Sequence, residues 1–90
     1  MAVYLISYDI KEYNKEDDAK VIRQLTTMGA VRCLLSEWLL ISGEKVGVVA
    51  RRVQSELKNG DRLLVVQVGG GAYANLLNEV ASVAILNQAK

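Results

Sequence analysis

Val3-Tyr4-Leu5-Ile6-Ser7-Tyr8-Asp9-Ile10 decides how this chain is read. Valine, isoleucine and tyrosine favour an extended backbone, and the apolar run is too short for a helix. It predicts a first strand that ends on a carboxylate, Asp9. At a strand end a carboxylate stays solvated and is placed to hold a divalent cation through oxygen ligands. The competing reading is an aspartate that starts a turn or caps the next element.

Downstream, Asn14 followed by Lys15-Glu16-Asp17-Asp18 has the form of a capped helix start, with acids near the positive end of the dipole. Val21, Ile22, Leu25 and Met28 recur at helical spacing until Gly29, so a first helix is expected over residues 15–28. Trp38-Leu39-Leu40-Ile41 before Ser42-Gly43 suits a buried strand, and a hairpin turning near Leu35-Ser36 supplies its partner. A second helix is expected from Ser42 or Glu44, with Val46, Val49, Ala50, Val53 and Leu57 on one stripe and Arg51, Arg52, Ser55 and Glu56 opposite. Gly47 costs that helix on the order of 1 kcal/mol relative to alanine, which suggests a close backbone approach there. Asn59-Gly60 ends the helix, and Arg62-Leu63-Leu64-Val65-Val66-Gln67-Val68 reads as a strand.

Strand, helix, strand, strand, helix, strand is the order of an α+β, ferredoxin-like βαββαβ sandwich, with two helices on one face of a four-stranded sheet. A sheet covered on one side alternates apolar with polar residues. Here both faces are apolar: Val3 and Leu5 against Tyr4 and Ile6, Trp38 and Leu40 against Leu39 and Ile41, Leu64 and Val66 against Leu63 and Val65. The second face must therefore be buried, by the C-terminal tail or by a second copy. A homodimer formed through the sheet face is the expected arrangement.

Residues 1–68 are expected to form the body, and 69–90 a glycine hinge and C-terminal helical tail in the same single domain, the tail helix lying within 74–87. Gly69-Gly70-Gly71 superficially resembles a phosphate-cradling loop. It lacks a Gly-Lys-Ser/Thr ending and the full dinucleotide fingerprint, so it reads as a hinge.

Composition narrows the chemistry. A chain of 90 residues makes one domain of modest stability, and 51% hydrophobic residues is high for its size. The formal charge of +1 gives no electrostatic ground for wholesale binding to nucleic acid or membrane. Cys33 is the single cysteine and histidine is absent, which excludes internal disulfides, Ser-His or Cys-His nucleophiles and His-containing or Cys-rich zinc sites. Any metal must take oxygen ligands, as magnesium, manganese or calcium does. With no basic leader and no apolar run of membrane-spanning length, the chain reads as cytoplasmic.

Tyr8-Asp9-Ile10 closing the first strand, then Gly29-Ala30-Val31-Arg32, Ser36 and the aromatic Trp38, resemble the small CRISPR-associated Cas-two proteins and their SinR-like relatives, over residues 3–68. The resemblance implies a ferredoxin-like homodimer in which Asp9 comes close to its symmetry mate. In nuclease members that pair binds Mg2+ or Mn2+, which activates water to cleave phosphodiesters of RNA or DNA. Asp9 would then be both catalytic residue and metal ligand. Other members are non-catalytic adaptors that organise an integrase on DNA, so nucleic acid and an integrase-type protein are the implied partners. By position, Arg32 and Ser36 would be the polar residues of the second motif, and Trp38 would replace its usual phenylalanine. Three departures stand out: Leu34 where a glutamine is common, the loop Lys11-Glu12-Tyr13-Asn14, in which Glu12 is either a further carboxylate or solvated, and the hinge-plus-helix tail. CRISPR members continue instead as a strand that pairs with the partner, which places this chain nearer the SinR-like branch.

The chemistry has its own rationale. Two Asp9 carboxylates brought together repel, which raises one pKa or recruits a cation, and magnesium lowers the pKa of bound water. Arg32 could hold a phosphate oxygen, or be a strand-edge arginine that discourages sheet pairing. Trp38 reads as core or as a base-stacking platform, and Tyr4 and Tyr8 as core or interface. Arg51 and Arg52 could touch a nucleic-acid backbone, or form a solvated helix face. Three functions remain open at this point: a metal-dependent endonuclease, a dimeric adaptor binding nucleic acid or protein through its tail and basic helix face, and a sensor whose small ligand sits at the dimer seam near Gly69-Gly71.

Overall fold

The computed structural model describes residues 1–89. Its elements are β1 (Ala2–Asp9), α1 (Lys15–Thr27), β2 (Val31–Leu34), β3 (Glu37–Ser42), α2 (Val46–Gln54), β4 (Arg62–Gln67) and α3 (Glu79–Leu86). The strands form one antiparallel sheet in the order β2-β3-β1-β4. A four-stranded antiparallel sheet with three helices makes an α+β protein, consistent with a fold of ferredoxin-like type.

Local chemistry sets most boundaries. The Asn14 side chain accepts the Asp17 N–H at 2.8 Å, capping α1, and the helix stops at Met28 because Gly29 takes φ +89. The hairpin turns at Leu35-Ser36 as expected, with a register irregularity between Arg32 and Leu34. The second helix starts later than expected, at Val46. The Ser42 hydroxyl accepts the Glu44 N–H at 3.0 Å and Lys45 is extended, so the chain bends before it coils. Gly47 marks no close approach, since a Cβ there would meet nothing within 4 Å. The tail helix is shorter than 74–87: Asn75 and Asn78 sit at positive φ, 55 and 48, which breaks helical continuity ahead of Glu79. Lys90, the end of the expected tail, lies outside the described residues.

Strand alternation sends Tyr4, Ile6 and Tyr8 to one face and Val3, Leu5, Ser7 and Asp9 to the other. On the first face Tyr4, Ile6, Tyr8, Trp38 and Leu40 pack with Val21 and Leu25 of α1 and Val49 and Val53 of α2, forming the main core. On the second, Val3, Cys33 and Leu39 pack with Ala89, flanked by Leu76, Ile85 and Leu86. The Leu77 N–H donates to the Cys33 carbonyl and the Asn78 amide to that of Arg32, tying the tail to β2.

This narrows the expectation that a second copy covers the second face. The chain's own tail covers the β2–β3 half, and what remains bare is the β4 side, where Leu64 and Val66 are 58% and 38% exposed. The apolar pattern required a cover without specifying its source.

One ion pair ties the start of α1 to the segment between α2 and β4. Lys58 Nζ lies 2.8 Å from Asp17 Oδ2, and the Asn14 amide donates to the same oxygen. The ammonium, aided by that amide, holds the Asp17 carboxyl below the ordinary range although burial opposes it. Because the folded value is depressed, the stabilisation is complete above the unfolded value, about 3.9, and is lost as pH falls through the folded one. Acid titration followed by circular dichroism should show a steeper loss below about pH 5 for the wild type than for Asp17→Asn. Parallel acid limbs would mean that the pair leaves stability unaffected.

Candidate functional site

The carboxyl end of β1 opens onto a cleft of about 530 Å3 lined by Tyr8, Asp9, Ile10, Tyr13, Asp18, Arg32, Leu35 and Ser36. Four elements meet there. β1 delivers Tyr8 and Asp9, the loop after it Tyr13, the first turn of α1 Asp18, and the β2–β3 hairpin Arg32 and Ser36.

The strand alternation that buries Tyr8 exposes Asp9. Asp9 stands in register with Arg62 of β4, on the face that carries Leu64 and Val66. Arg32 is held by its ring contact. Its guanidinium carbon lies 5.1 Å from the Trp38 ring centroid, while Nε is buried without an acceptor. Neither ion pair among the described residues involves Arg32. A half-buried guanidinium stacked on an indole, close enough to the Tyr8 phenol to act on it and lacking a carboxylate partner, leaves its positive charge unmatched by an ion pair.

Tyr8 closes the floor. Its hydroxyl donates to Asp18 Oδ1 at 2.9 Å. Burial pushes the phenol's pKa up, the Asp18 carboxylate pushes it further, and the Arg32 guanidinium works the other way. The phenol therefore stays protonated and keeps donating to Asp18.

The structure brings Asp9, Arg32 and Ser36 into one cleft. It leaves Arg51 and Arg52 elsewhere: both are exposed on α2, line none of the clefts at the end of β1, and Arg52 is paired with Glu44 at 2.8 Å. Glu12 lines the neighbouring cleft rather than this one. Trp38 is core, 5% exposed, so its ring supports Arg32 and is closed to a base. Cys33 donates to the Glu37 carbonyl, and burial, with the charge of Glu37, pushes its thiol pKa up, away from nucleophilic chemistry. Asp18 and Tyr13 were missed as site residues in the sequence. Asp18 reads as a dipole partner of α1, and nothing in the sequential spacing shows that it reaches Tyr8.

A metal needs more than one copy supplies. Among the described residues no three carboxylates or thiols converge to hold a cation. Within one chain Asp9 is a single ligand, and Asp18 is engaged by Tyr8. The donor set of one copy does not fit a closed Mg2+ or Mn2+ site.

Among the described residues no helix is long and apolar enough to cross a membrane. No protein-family model matches the chain, and no curated protein does. The chain is similar to a solved crystal structure of a hypothetical protein, TT1823 from Thermus thermophilus, with a TM-score of 0.66 and 21% identity, over 84% of this chain and 94% of that one. At that identity the likeness is one of fold.

Proposed function

We propose that this chain is a ferredoxin-like, Cas-two-like homodimer that binds RNA or DNA through the cleft at the end of β1. The observation that carries the reading is the convergence of Asp9, Arg32 and Ser36 there, with Arg32 in neither ion pair among the described residues. Arg32 takes a phosphate oxygen, and Ser36 offers a hydroxyl beside it. The Tyr8 hydroxyl occupies one oxygen of Asp18 and fixes that side chain at the floor of the cleft. The bare strip beside Asp9, with Ser7, Leu64 and Val66, supports a two-fold contact on the part of the sheet that α3 leaves free. An integrase-type protein is the partner that an adaptor of this kind would carry to DNA.

Metal-dependent cleavage is the second reading, favoured by the exposure of Asp9 on that strip. It requires the symmetry mate's Asp9, because one copy lacks the ligands.

Fluorescence anisotropy with labelled RNA and DNA tests the first reading. Arg32→Ala is expected to weaken binding and to lower the salt slope by about 1, as loss of one phosphate contact does. Arg32→Lys keeps the charge and controls for folding. Unchanged affinity in both variants would remove Arg32 from the interface. For the second reading, Mg2+ or Mn2+ should raise the melting temperature of the wild type and not that of Asp9→Asn, and cleavage should vanish in the variant. Equal turnover in the two proteins would sink the catalytic role of Asp9.

A further inference from the structure

We propose that the C-terminal tail competes with a second copy of the chain for the sheet face. Docked, it limits the two-fold contact to the β4 strip; released about the hinge at 69–71, it lets two copies pack over the whole face. This inference rests on the two-fold contact proposed above and adds its regulation.

The contested surface is continuous. Leu5 of β1 stands in register with Leu39 of β3 on one side and Val66 of β4 on the other, an apolar row across three strands with no charge between its ends. The tail holds only the β2–β3 half, where Val3, Cys33 and Leu39 are buried with Ala89. On the β4 half, two exposed side chains, Leu64 and Val66, fall far short of the about 800 Å2 a side that a stable interface buries. A contact confined to that strip is therefore weak. Clearing the tail adds Val3, Cys33, Leu39 and Ile41 to the same face, and a second copy is the occupant because the hidden half continues directly from the strip that the two-fold contact uses.

The attachment of the tail is shallow and conformationally demanding. The Val68 N–H donates to the Val3 carbonyl at 2.8 Å, and three glycines follow. In the docked form Gly70 takes φ +140, which L side chains rarely adopt, and Asn78 holds φ 48 at the start of α3. Of the eight residues of α3 only Ser82 is buried, and Val80 is 89% exposed. Docking within one chain needs no second molecule, so the docked form prevails in dilute protein, and mass action favours the two-fold form as concentration rises.

The test is sedimentation of the full chain across a concentration series, with iodoacetamide labelling of Cys33, the single cysteine, as the report on its cover. Gly70→Ala strains the docked form and leaves the released chain unstrained. It is expected to tighten dimerisation at least about 5-fold, the lower bound for one strained backbone position, and to speed labelling of the dilute protein by a similar factor. Labelling should slow again at high concentration, when a partner covers Cys33 in place of the tail. Asn78→Ala, which loses the bond to the Arg32 carbonyl and keeps a positive φ without asparagine's tolerance, should act in the same direction and serves if Gly70→Ala does not fold. Leu64→Lys places a charge on the exposed strip and should abolish dimerisation in every background while leaving labelling of dilute protein unchanged. Faster labelling without tighter association, or association that Leu64→Lys does not reverse, refutes the competition. If the wild type dimerises, Leu64→Lys prevents it and both tail variants leave it unaltered, the competition fails and the two-fold contact stands. If neither the wild type nor the tail variants associate, both fail together.

Discussion

Replacing Trp38 with alanine is expected to destabilise the protein by about 3–5 kcal/mol, the largest effect of any single change at the cleft. Trp38 lies on β3, an interior strand, 5% exposed within the main core. Removing its ring leaves a void between sheet and helices and takes away the surface on which the Arg32 guanidinium rests. Trp38→Phe should lose far less, because the indole N–H has no acceptor to forfeit. Urea melts of both variants measure the difference, and a loss below about 1 kcal/mol for alanine would mean an accessible ring and return base stacking to consideration. On the proposed nucleic-acid reading, affinity should follow Arg32 rather than the indole: Trp38→Phe, still folded, is expected to retain most of it.

Leu39→Ala should cost about 2–5 kcal/mol, as much as Leu40→Ala next to it. The two side chains point to opposite faces of β3 and each is 2% exposed. Leu40 is sealed by the main core, and Leu39 by the tail with Val3, Cys33 and Ala89. Since the tail belongs to the same chain, the loss at Leu39 should be independent of protein concentration. A loss that grows on dilution would show that a second copy supplies the cover, and a loss below about 1 kcal/mol would show that the tail does not seal that strand in solution. The same pair of melts thus measures where a dimer contact can form. If the tail stays docked, the contact is confined to the strip bearing Leu64 and Val66.

Much of the body was legible because its signals are local. The Asn14 cap, the Gly29 stop and the β-rich run from Arg62 each act within a turn or two of their own position. The start of α2 was not, because the Ser42 hydroxyl claims the Glu44 N–H, and the competition between that bond and a helical turn leaves no mark in the apolar pattern. The tail helix was overextended for a related reason. Asparagine tolerates positive φ, and whether Asn75 and Asn78 adopt it depends on what they dock against.

The cleft divides in the same way. Asp9 and Arg32 carry recognisable residue types at recognisable places, whereas Asp18 and Tyr13 become site residues only when α1 and its leading loop fold over the end of β1.

The sequence by itself determined the strand and helix order, the apolar character of both sheet faces, the lack of histidine chemistry and the carboxylate at the end of β1. Those are properties of composition and short-range periodicity. Only the tertiary structure decided that the tail covers half of the second face, that Trp38 supports Arg32 rather than meeting solvent, and that Tyr8 engages Asp18. Each of these depends on groups far apart in the chain or on which of several apolar surfaces meet, and hydrophobic burial, being non-directional, favours covering a surface without specifying what covers it.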